Sequence, residues 1–122
     1  MNIHESAENY LETIYMLSMR GNGNSVRAID IAVELGYSKP SVSVAMKNLR
    51  QNGYITTASD GGLLLTDIGL AIALKMYERH TLLSTWLMRI GVSEETALHD
   101  ACRIEHVISE EAFEALKREI QS

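Results

Sequence analysis

The sequence predicts a mainly α-helical fold that carries one short β-hairpin, and three observations lead to this prediction. Apolar residues recur at three- and four-residue spacing along most of the chain, which is the period of a helix with one buried face. Serine or threonine stands where these segments begin, and glycine stands where several of them end. The strand-forming residues 54–57 and 63–65 flank the turn Ser59-Asp60-Gly61-Gly62, which is typical of a hairpin.

The first two helices are delimited by turn-forming and capping residues. Helix 1 is expected over about residues 5–19, because a turn-forming run at residues 21–24 follows it. Its apolar stripe consists of Ala7, Tyr10, Leu11, Ile14 and Leu17. Ser25 is the expected N-cap of helix 2, and Gly36 is expected to end that helix in a left-handed conformation.

A third helix and the hairpin complete the first half of the chain. Ser38 is the expected N-cap of helix 3, and Pro40 lies in its first turn, where the missing N–H costs no hydrogen bond. Gly36 permits the steep crossing of helices 2 and 3 that is typical of a helix-turn-helix. Gly53 ends helix 3, and the hairpin follows at once. The first half therefore has the element order of a winged helix-turn-helix.

The second half is expected to be entirely helical. Thr66 is the expected N-cap of a long helix over about residues 67–90, which Gly91 ends. Ser93 and Ser109 are the expected N-caps of two further helices. The sequence thus predicts a winged helix-turn-helix followed by an α-helical region.

Length and composition bound the class of protein. A chain of 122 residues forms one or two small domains, and we place them at residues 1–66 and 67–122. The single cysteine, Cys102, excludes a disulfide within the chain, which fits a reducing compartment. The N-terminus lacks the basic start and apolar run of a signal peptide, and no apolar run approaches the roughly 18 residues of a membrane span. We therefore expect a cytoplasmic protein without a membrane partner.

The charge distribution separates two candidate surfaces. The net charge of −5 argues weakly against nucleic acid, but the stretch from Arg20 to Gly53 holds five basic and two acidic residues. The stretch from Gly61 to the end holds six basic and ten acidic residues. A cationic centre favours DNA contact and an anionic C-terminal half favours cation binding, although chance asymmetry between solvated faces gives the same pattern.

Helix 3 is expected to present a basic, hydroxyl-rich face with no apolar patch. The predicted DNA contacts on this face and on helix 2 are Arg27, Ser38, Lys39, Pro40, Ser41, Ser43, Lys47 and Arg50. Lysine and arginine neutralise phosphates, and small hydroxyls near a helix N-terminus permit close approach to a base edge or phosphate. Asp60 at the hairpin tip makes the wing a poor phosphate contact. A winged helix that serves as a protein-interaction adaptor is the alternative.

A second group of residues has the spacing of a metal site. Cys102, Glu105 and His106 stand at positions i, i+3 and i+4, so that their side chains share one face of a helix. A thiolate, a carboxylate and an imidazole on one face can bind a divalent cation. Spacing alone leaves the alternative open that a buried cysteine lies beside a solvated Glu–His pair.

The chain resembles the diphtheria toxin repressor family of iron- and manganese-dependent regulators from about residue 5 to residue 111. The resemblance rests on six motifs: Asn9-Tyr10-Leu11-Glu12-Thr13-Ile14-Tyr15, Asp30-Ile31-Ala32, Ser38-Lys39-Pro40-Ser41-Val42-Ser43, Leu65-Thr66, Arg79-His80, and Asp100-Ala101-Cys102-Arg103-Ile104-Glu105-His106-Val107-Ile108-Ser109. The last motif is the most specific. The resemblance implies a metal-dependent repressor that controls metal-uptake genes and binds a palindromic operator in double-stranded DNA as a homodimer. The C-terminal region is then a metal-binding and dimerisation region.

The resemblance also implies a ligand set. The residues that match the family's metal ligands are Glu12, His80, Cys102, Glu105 and His106, with Asn9 as a further candidate. Glu12 follows the manganese-type pattern, whereas Cys102 follows the iron-type pattern. The ancillary iron-type site is incomplete, because Ser84 replaces its glutamate and Leu98 its histidine. His99 is either a displaced ligand or an exposed histidine, and we favour the exposed one.

The expected cofactor is iron(II), with manganese(II) as the next choice. Cobalt, nickel and zinc are expected to bind in vitro, because a thiolate favours softer, later metals. By the resemblance, a cation held by both halves sets the separation of the two recognition helices in the dimer. Because the sequence stops at Ser122, we expect the short manganese-type arrangement without the SH3-like β-barrel of longer relatives.

Two other classes of function are weaker alternatives. A winged-helix regulator could sense an organic ligand in a pocket lined by Met76, Trp86 and Met88, although these residues more readily pack a core or a dimer contact. An enzyme is not expected, because no HExxH motif or oxyanion-forming glycine turn accompanies Cys102 and His106. No organic substrate is therefore expected.

Overall fold

The computed structural model describes residues 3–21 and 25–122, with side chains from residue 5 onward in the first stretch. The elements in these ranges are α1 (Ile3–Arg20), α2 (Ala28–Leu35), α3 (Lys39–Gln51), β1 (Ile55–Thr57), β2 (Leu63–Leu65), α4 (Asp67–Arg89), α5 (Glu94–Val107) and α6 (Glu110–Gln121). They form two units, Met1–Leu74 and Lys75–Ser122, which are described in turn. The predicted mainly α-helical fold with one hairpin is confirmed. Most of the predicted turn at residues 21–24 lies outside the described residues.

One predicted cap is wrong. Helix α2 begins at Ala28, and its N-cap is Arg27, whose backbone N–H donates to the Asp30 carboxylate at 2.8 Å. Ser25 instead donates its hydroxyl to Asp60 Oδ2 at 2.6 Å. The Ser25 hydroxyl therefore binds the tip of the wing, and an acidic residue in the first turn caps the helix.

The helix-turn-helix forms because its turn residues adopt the conformations that the sequence predicts. Gly36 has φ 71°, in the left-handed region that glycine tolerates, and the next residue, Tyr37, donates its N–H to Ala32 O at 3.1 Å. Ser38 caps α3 by accepting the N–H of Ser41. The apolar residues beneath these helices form one core: Tyr10, Leu11, Ile14, Val26, Ile31, Ala32, Val42, Met46, Leu49, Ile55, Leu63 and Ala73.

The wing is a two-stranded antiparallel sheet in which Ile55 pairs with Leu65 and Thr57 with Leu63. Leu63 N–H also donates to Val26 O at 2.8 Å, which joins β2 to the segment before α2. Where the wing meets the start of α4, a Cβ on Gly69 would lie 2.0 Å from Tyr54 O. Only glycine fits this close approach of helix and strand.

In the second unit, polar side chains are buried beside the apolar core. Ser93 and Ser109 cap α5 and α6 as predicted, and Gly91 has φ 109° after the end of α4. The apolar core consists of Met76, Leu83, Ala97, Ala101 and Phe113. Ser84 is also buried, and so are Arg79 and Glu105, which is unusual for charged residues. None of the described helices combines the length and apolar character that crossing a bilayer requires.

Candidate metal centre and nucleic-acid interface

Helix α5 brings the predicted thiol, carboxylate and imidazole together. Sγ of Cys102 and one ligand atom each of Glu105 and His106 all lie within 4.8 Å of one another. The Glu105 side chain is 0% exposed and that of His106 is 4% exposed, while Cys102 is half-buried. The alternative of a solvated Glu–His pair is therefore wrong.

Helix α4 adds a second imidazole to the same carboxylate. His80 Nδ1 lies 3.4 Å from Glu105 Oε2, and His106 Nε2 lies 3.3 Å from Glu105 Oε1. The His80 side chain is 18% exposed. The two oxygens of the buried Glu105 carboxylate thus face different imidazoles, one from α4 and one from α5.

The chemistry of these residues fits a divalent transition-metal ion. Two donors that share an ion at about 2.1 Å, at right angles, lie about 3 Å apart, which is close to the separations around Glu105. The buried Nδ1 of His80 makes no hydrogen bond within the described residues, so it is available as a ligand. A carboxylate in an apolar interior is costly unless a positive charge compensates it. Imidazole, carboxylate and thiolate are the donors that such ions prefer.

Arg79, the neighbour of His80, is a buried cation to which the sequence patterns assigned no role. Arg79 Nη1 donates to Glu105 O at 3.0 Å and to Ile108 O at 2.9 Å. Its guanidinium lies 5.2 Å from the centroid of the Phe113 ring. The signal that could have revealed it is its helical spacing, three residues after Met76 and four before Leu83, which are both buried.

Two other residues of the family's ligand pattern lie on α1, in the first unit. Glu12 is buried, with 4% exposure. Asn9 is half-buried, and its backbone carbonyl accepts the Thr13 hydroxyl at 2.8 Å. The structure does not test whether either side chain binds metal, and both stay predicted ligands.

The residues at the incomplete ancillary positions have other surroundings. His99 is 70% exposed and its Nδ1 lies 3.4 Å from Asp100 Oδ1, which agrees with the favoured surface histidine. Ser84 is buried and donates its hydroxyl to Thr81 O at 3.3 Å. Leu98 is 40% exposed and offers no ligand atom. Met76, which was considered as the lining of an organic-ligand pocket, is 1% exposed in the core.

The face of α3 is as polar as predicted. The predicted contacts on it are all exposed: Ser38, Lys39, Pro40, Ser41, Ser43, Lys47 and Arg50. Val44 is the single large apolar side chain of this helix that is exposed, and it does not form a patch. Ser38 donates its hydroxyl to Ser41 Oγ at 2.8 Å, and Arg50 Nε donates to Thr57 Oγ1 at 2.9 Å. Internal hydrogen bonds thus orient part of this surface.

The tip of the wing is tied to the residues before α2. Arg27 Nη2 donates to Asp60 O at 2.5 Å, and the Asp60 carboxylate accepts the Ser25 hydroxyl and the Gly62 N–H. The hydrogen bond from Ser25, followed by that from Gly62 and the nearby Arg27 guanidinium, lowers the pKa of Asp60. The acidic tip therefore joins the wing to the segment before α2, and it binds Arg27, a predicted DNA contact.

Two family models match consecutive parts of the chain. Residues 2–63 match the iron-dependent repressor N-terminal DNA-binding domain, and residues 66–122 match the iron-dependent repressor metal-binding and dimerisation domain. The chain belongs to the iron-dependent repressor family. The predicted class of function, a metal-dependent transcriptional regulator with DNA, a divalent metal and a second subunit as partners, is thereby confirmed at the level of the family.

Curated relatives of this repressor are transcriptional regulators, and two similar solved structures are of manganese regulators. It is 36% identical over 113 residues to the transcriptional regulator MntR of Escherichia coli O157:H7, covering 93% of this chain and 72% of that protein. Among solved structures it is similar to the manganese regulator SloR, with a TM-score of 0.83 and 28% identity over 94% of this chain and 53% of that one. A manganese-dependent transcriptional repressor in complex with manganese has a TM-score of 0.84 at 26% identity, over 94% and 52%. The repressor spans about half the length of these two solved chains.

Proposed function

We propose that this chain binds operator DNA as a homodimer when it is loaded with iron(II) or manganese(II), and thereby represses metal-uptake genes. The observation that carries the proposal is the Glu105 carboxylate, which is fully buried and has an imidazole on each of its oxygens. A bound divalent cation would compensate that buried charge. Binding of the cation would then favour the conformation that binds DNA, provided that its affinity for the two conformations differs.

The proposed ligands in the second unit are His80, Cys102, Glu105 and His106. Glu12 and Asn9 are proposed to complete the coordination, on the strength of the family resemblance and of the burial of Glu12. A second buried carboxylate adds to the negative charge that a cation would offset. His99 is the weakest candidate, because its side chain is at the surface.

Cys102 bears on the choice of metal. A thiolate favours iron(II) over manganese(II), whereas two similar solved structures are described as manganese regulators, which favours manganese(II). We propose iron(II) first and manganese(II) second, and we expect cobalt(II), nickel(II) and zinc(II) to bind in vitro at least as tightly. Selection in the cell would then depend on coordination geometry and on metal supply.

The proposed DNA contacts are Arg27 and the exposed residues of α3. Lys39 and Lys47 supply phosphate contacts, and the capped N-terminus of α3 offers N–H groups to a phosphate. The domain division at residues 1–66 and 67–122 also stays a proposal. The family models divide the chain between residues 63 and 66, whereas the two compact units divide within α4. A cytoplasmic location and the lack of an enzymatic activity complete the proposal.

Fluorescence anisotropy tests the proposal. Duplexes are selected from a random pool with the Mn(II)-loaded chain, and the dissociation constant is then measured with Mn(II), with Fe(II) under anaerobic conditions, and with a chelator. We expect each metal to increase DNA affinity at least tenfold, which corresponds to about 1.4 kcal/mol of coupling. DNA binding that a chelator leaves unchanged would favour a sensor of another ligand, and no selectable duplex would favour an adaptor.

A matched pair of variants ties the effect to the proposed centre. Glu105→Gln keeps the size of the buried side chain and removes its charge, so we expect the response to metal to disappear. His99→Gln changes an exposed histidine on the same helix and is expected to leave the response intact.

A further inference from the structure

Arg79 joins three helices around the turn of α5 that carries the proposed ligands. It lies on α4 directly before His80, its Nη1 donates to the backbone carbonyls of Glu105 and Ile108, and its guanidinium packs on the ring of Phe113 in α6. The last carbonyls of a helix have no partner within the helix, so a side-chain donor that reaches them fixes the conformation of the final turn. The positive charge also favours this end of the helix dipole.

A purely apolar residue would satisfy the packing at this position at lower cost. Arg79 is 5% exposed, and its Nε is a buried donor with no hydrogen-bond partner within the described residues. A buried donor without a partner destabilises the fold. The arginine is therefore poorly explained by stability alone, and its contacts converge on the two residues, Glu105 and Ile108, that bracket His106.

We propose that Arg79 is a positioning residue for the metal centre. By holding the Glu105 and Ile108 carbonyls, it fixes the turn from which the Glu105 and His106 side chains project. Because it precedes His80 on the same helix, it also sets the distance between the two imidazoles that flank the Glu105 carboxylate. The inference rests on the proposed function, and it adds a residue that would act on metal affinity without touching the metal.

The experiment uses the full chain and Co(II), whose visible absorption reports coordination geometry. Arg79→Met removes the donors and keeps much of the apolar volume. We expect Co(II) affinity to fall about 10- to 100-fold, the range found when a partner that orients metal ligands is lost, and the absorption bands to shift. Arg79→Lys keeps one cationic donor and is expected to recover part of the affinity and the wild-type bands. It also keeps the test open if Arg79→Met does not fold.

Ala97→Gly is the control for lost stability. It weakens α5 at a buried position away from the ligand-bearing turn, so it is expected to lower the unfolding temperature and leave Co(II) affinity and absorption unchanged. Wild-type affinity and bands in Arg79→Met, or an equal loss of affinity in Ala97→Gly, would overturn the positioning role. A wild-type chain that binds no Co(II), Mn(II) or Fe(II) would instead overturn the proposed function itself.

Discussion

The two candidate functional regions differ in how their side chains relate to the core. On the proposed DNA-reading surface, Lys39, Ser43 and Lys47 are exposed, and the core beneath them is apolar. In the proposed metal centre, Glu105 and His106 are themselves part of the packed interior. A substitution on the surface can therefore alter DNA binding with little effect on folding. A substitution at a proposed metal ligand is expected to affect metal binding and folding together.

Loss of the central carboxylate is expected to have the largest effect. Wild-type chain with Mn(II) at 100 times its dissociation constant should gain about 2.7 kcal/mol in free energy of unfolding, because the ion binds only the folded state. Glu105→Ala should lower metal affinity by more than about 100-fold, beyond the loss that follows from removing a supporting hydrogen bond. Urea denaturation with and without Mn(II) measures both effects.

The same experiment contains its control. Glu114 lies outside the proposed centre on α6, so Glu114→Ala should retain the full gain in stability on adding Mn(II). A Glu105→Ala chain that metal stabilises as much as wild type would show that the centre is elsewhere.

Gly69→Ala is expected to destabilise the first unit without changing any proposed DNA contact. The new Cβ would lie 2.0 Å from Tyr54 O, and relieving that contact should cost about 1–3 kcal/mol. Gly36→Ala is the matched substitution: no atom lies within 4 Å of its Cβ, so only the positive φ opposes it, at about 1–2 kcal/mol. Thermal unfolding compares the two. A milder effect at Gly69 than at Gly36 would contradict the packing argument.

Loss of one surface lysine should have a smaller effect, and only on DNA binding. Lys47→Ala removes one proposed phosphate contact, so the slope of log affinity against log salt concentration should become shallower by about 0.9. Metal affinity and the unfolding temperature should not change, because Lys47 is exposed. Lys75→Ala on α4 provides the comparison, and an equal change of slope there would mean that the DNA surface has been misplaced.

The wing tip provides the smallest expected effect. Because the pKa of Asp60 is lowered in the folded chain, its hydrogen bonds stabilise the wing above the ordinary pKa of 3.8. This contribution should fade as the pH falls through the depressed value. NMR titration of the Asp60 carboxyl group and of the Gly62 amide measures the effect, with Asp60→Asn as the control. A midpoint at or above 3.8 would contradict the ties to Ser25 and Gly62.

Local patterns predicted the helices, the hairpin and the shared face of Cys102, Glu105 and His106, because each depends on residues close together in the chain. They failed at Ser25, whose hydroxyl binds Asp60 across 35 positions instead of capping α2.

Contacts between helices could not be predicted from residue spacing either. The approach of His80 to Glu105 was an expectation from family resemblance alone, since nothing in the sequence between α4 and α5 fixes their relative placement. The hydrogen bonds from Arg79 to the end of α5 had no local signature apart from the position of Arg79 between Met76 and Leu83 on the buried face of α4. Tertiary packing decides such contacts.

The tie between the wing and Arg27 offers a practical readout. No lysine or arginine occurs between Arg50 and Lys75, so trypsin cannot cut within the hairpin. The hairpin holds the guanidinium at two cleavage sites, that of Arg27 through Asp60 O and that of Arg50 through Thr57 Oγ1. The rates at which trypsin cuts after Arg27 and after Arg50 would therefore report how often the hairpin separates from these side chains, with no label attached to the protein.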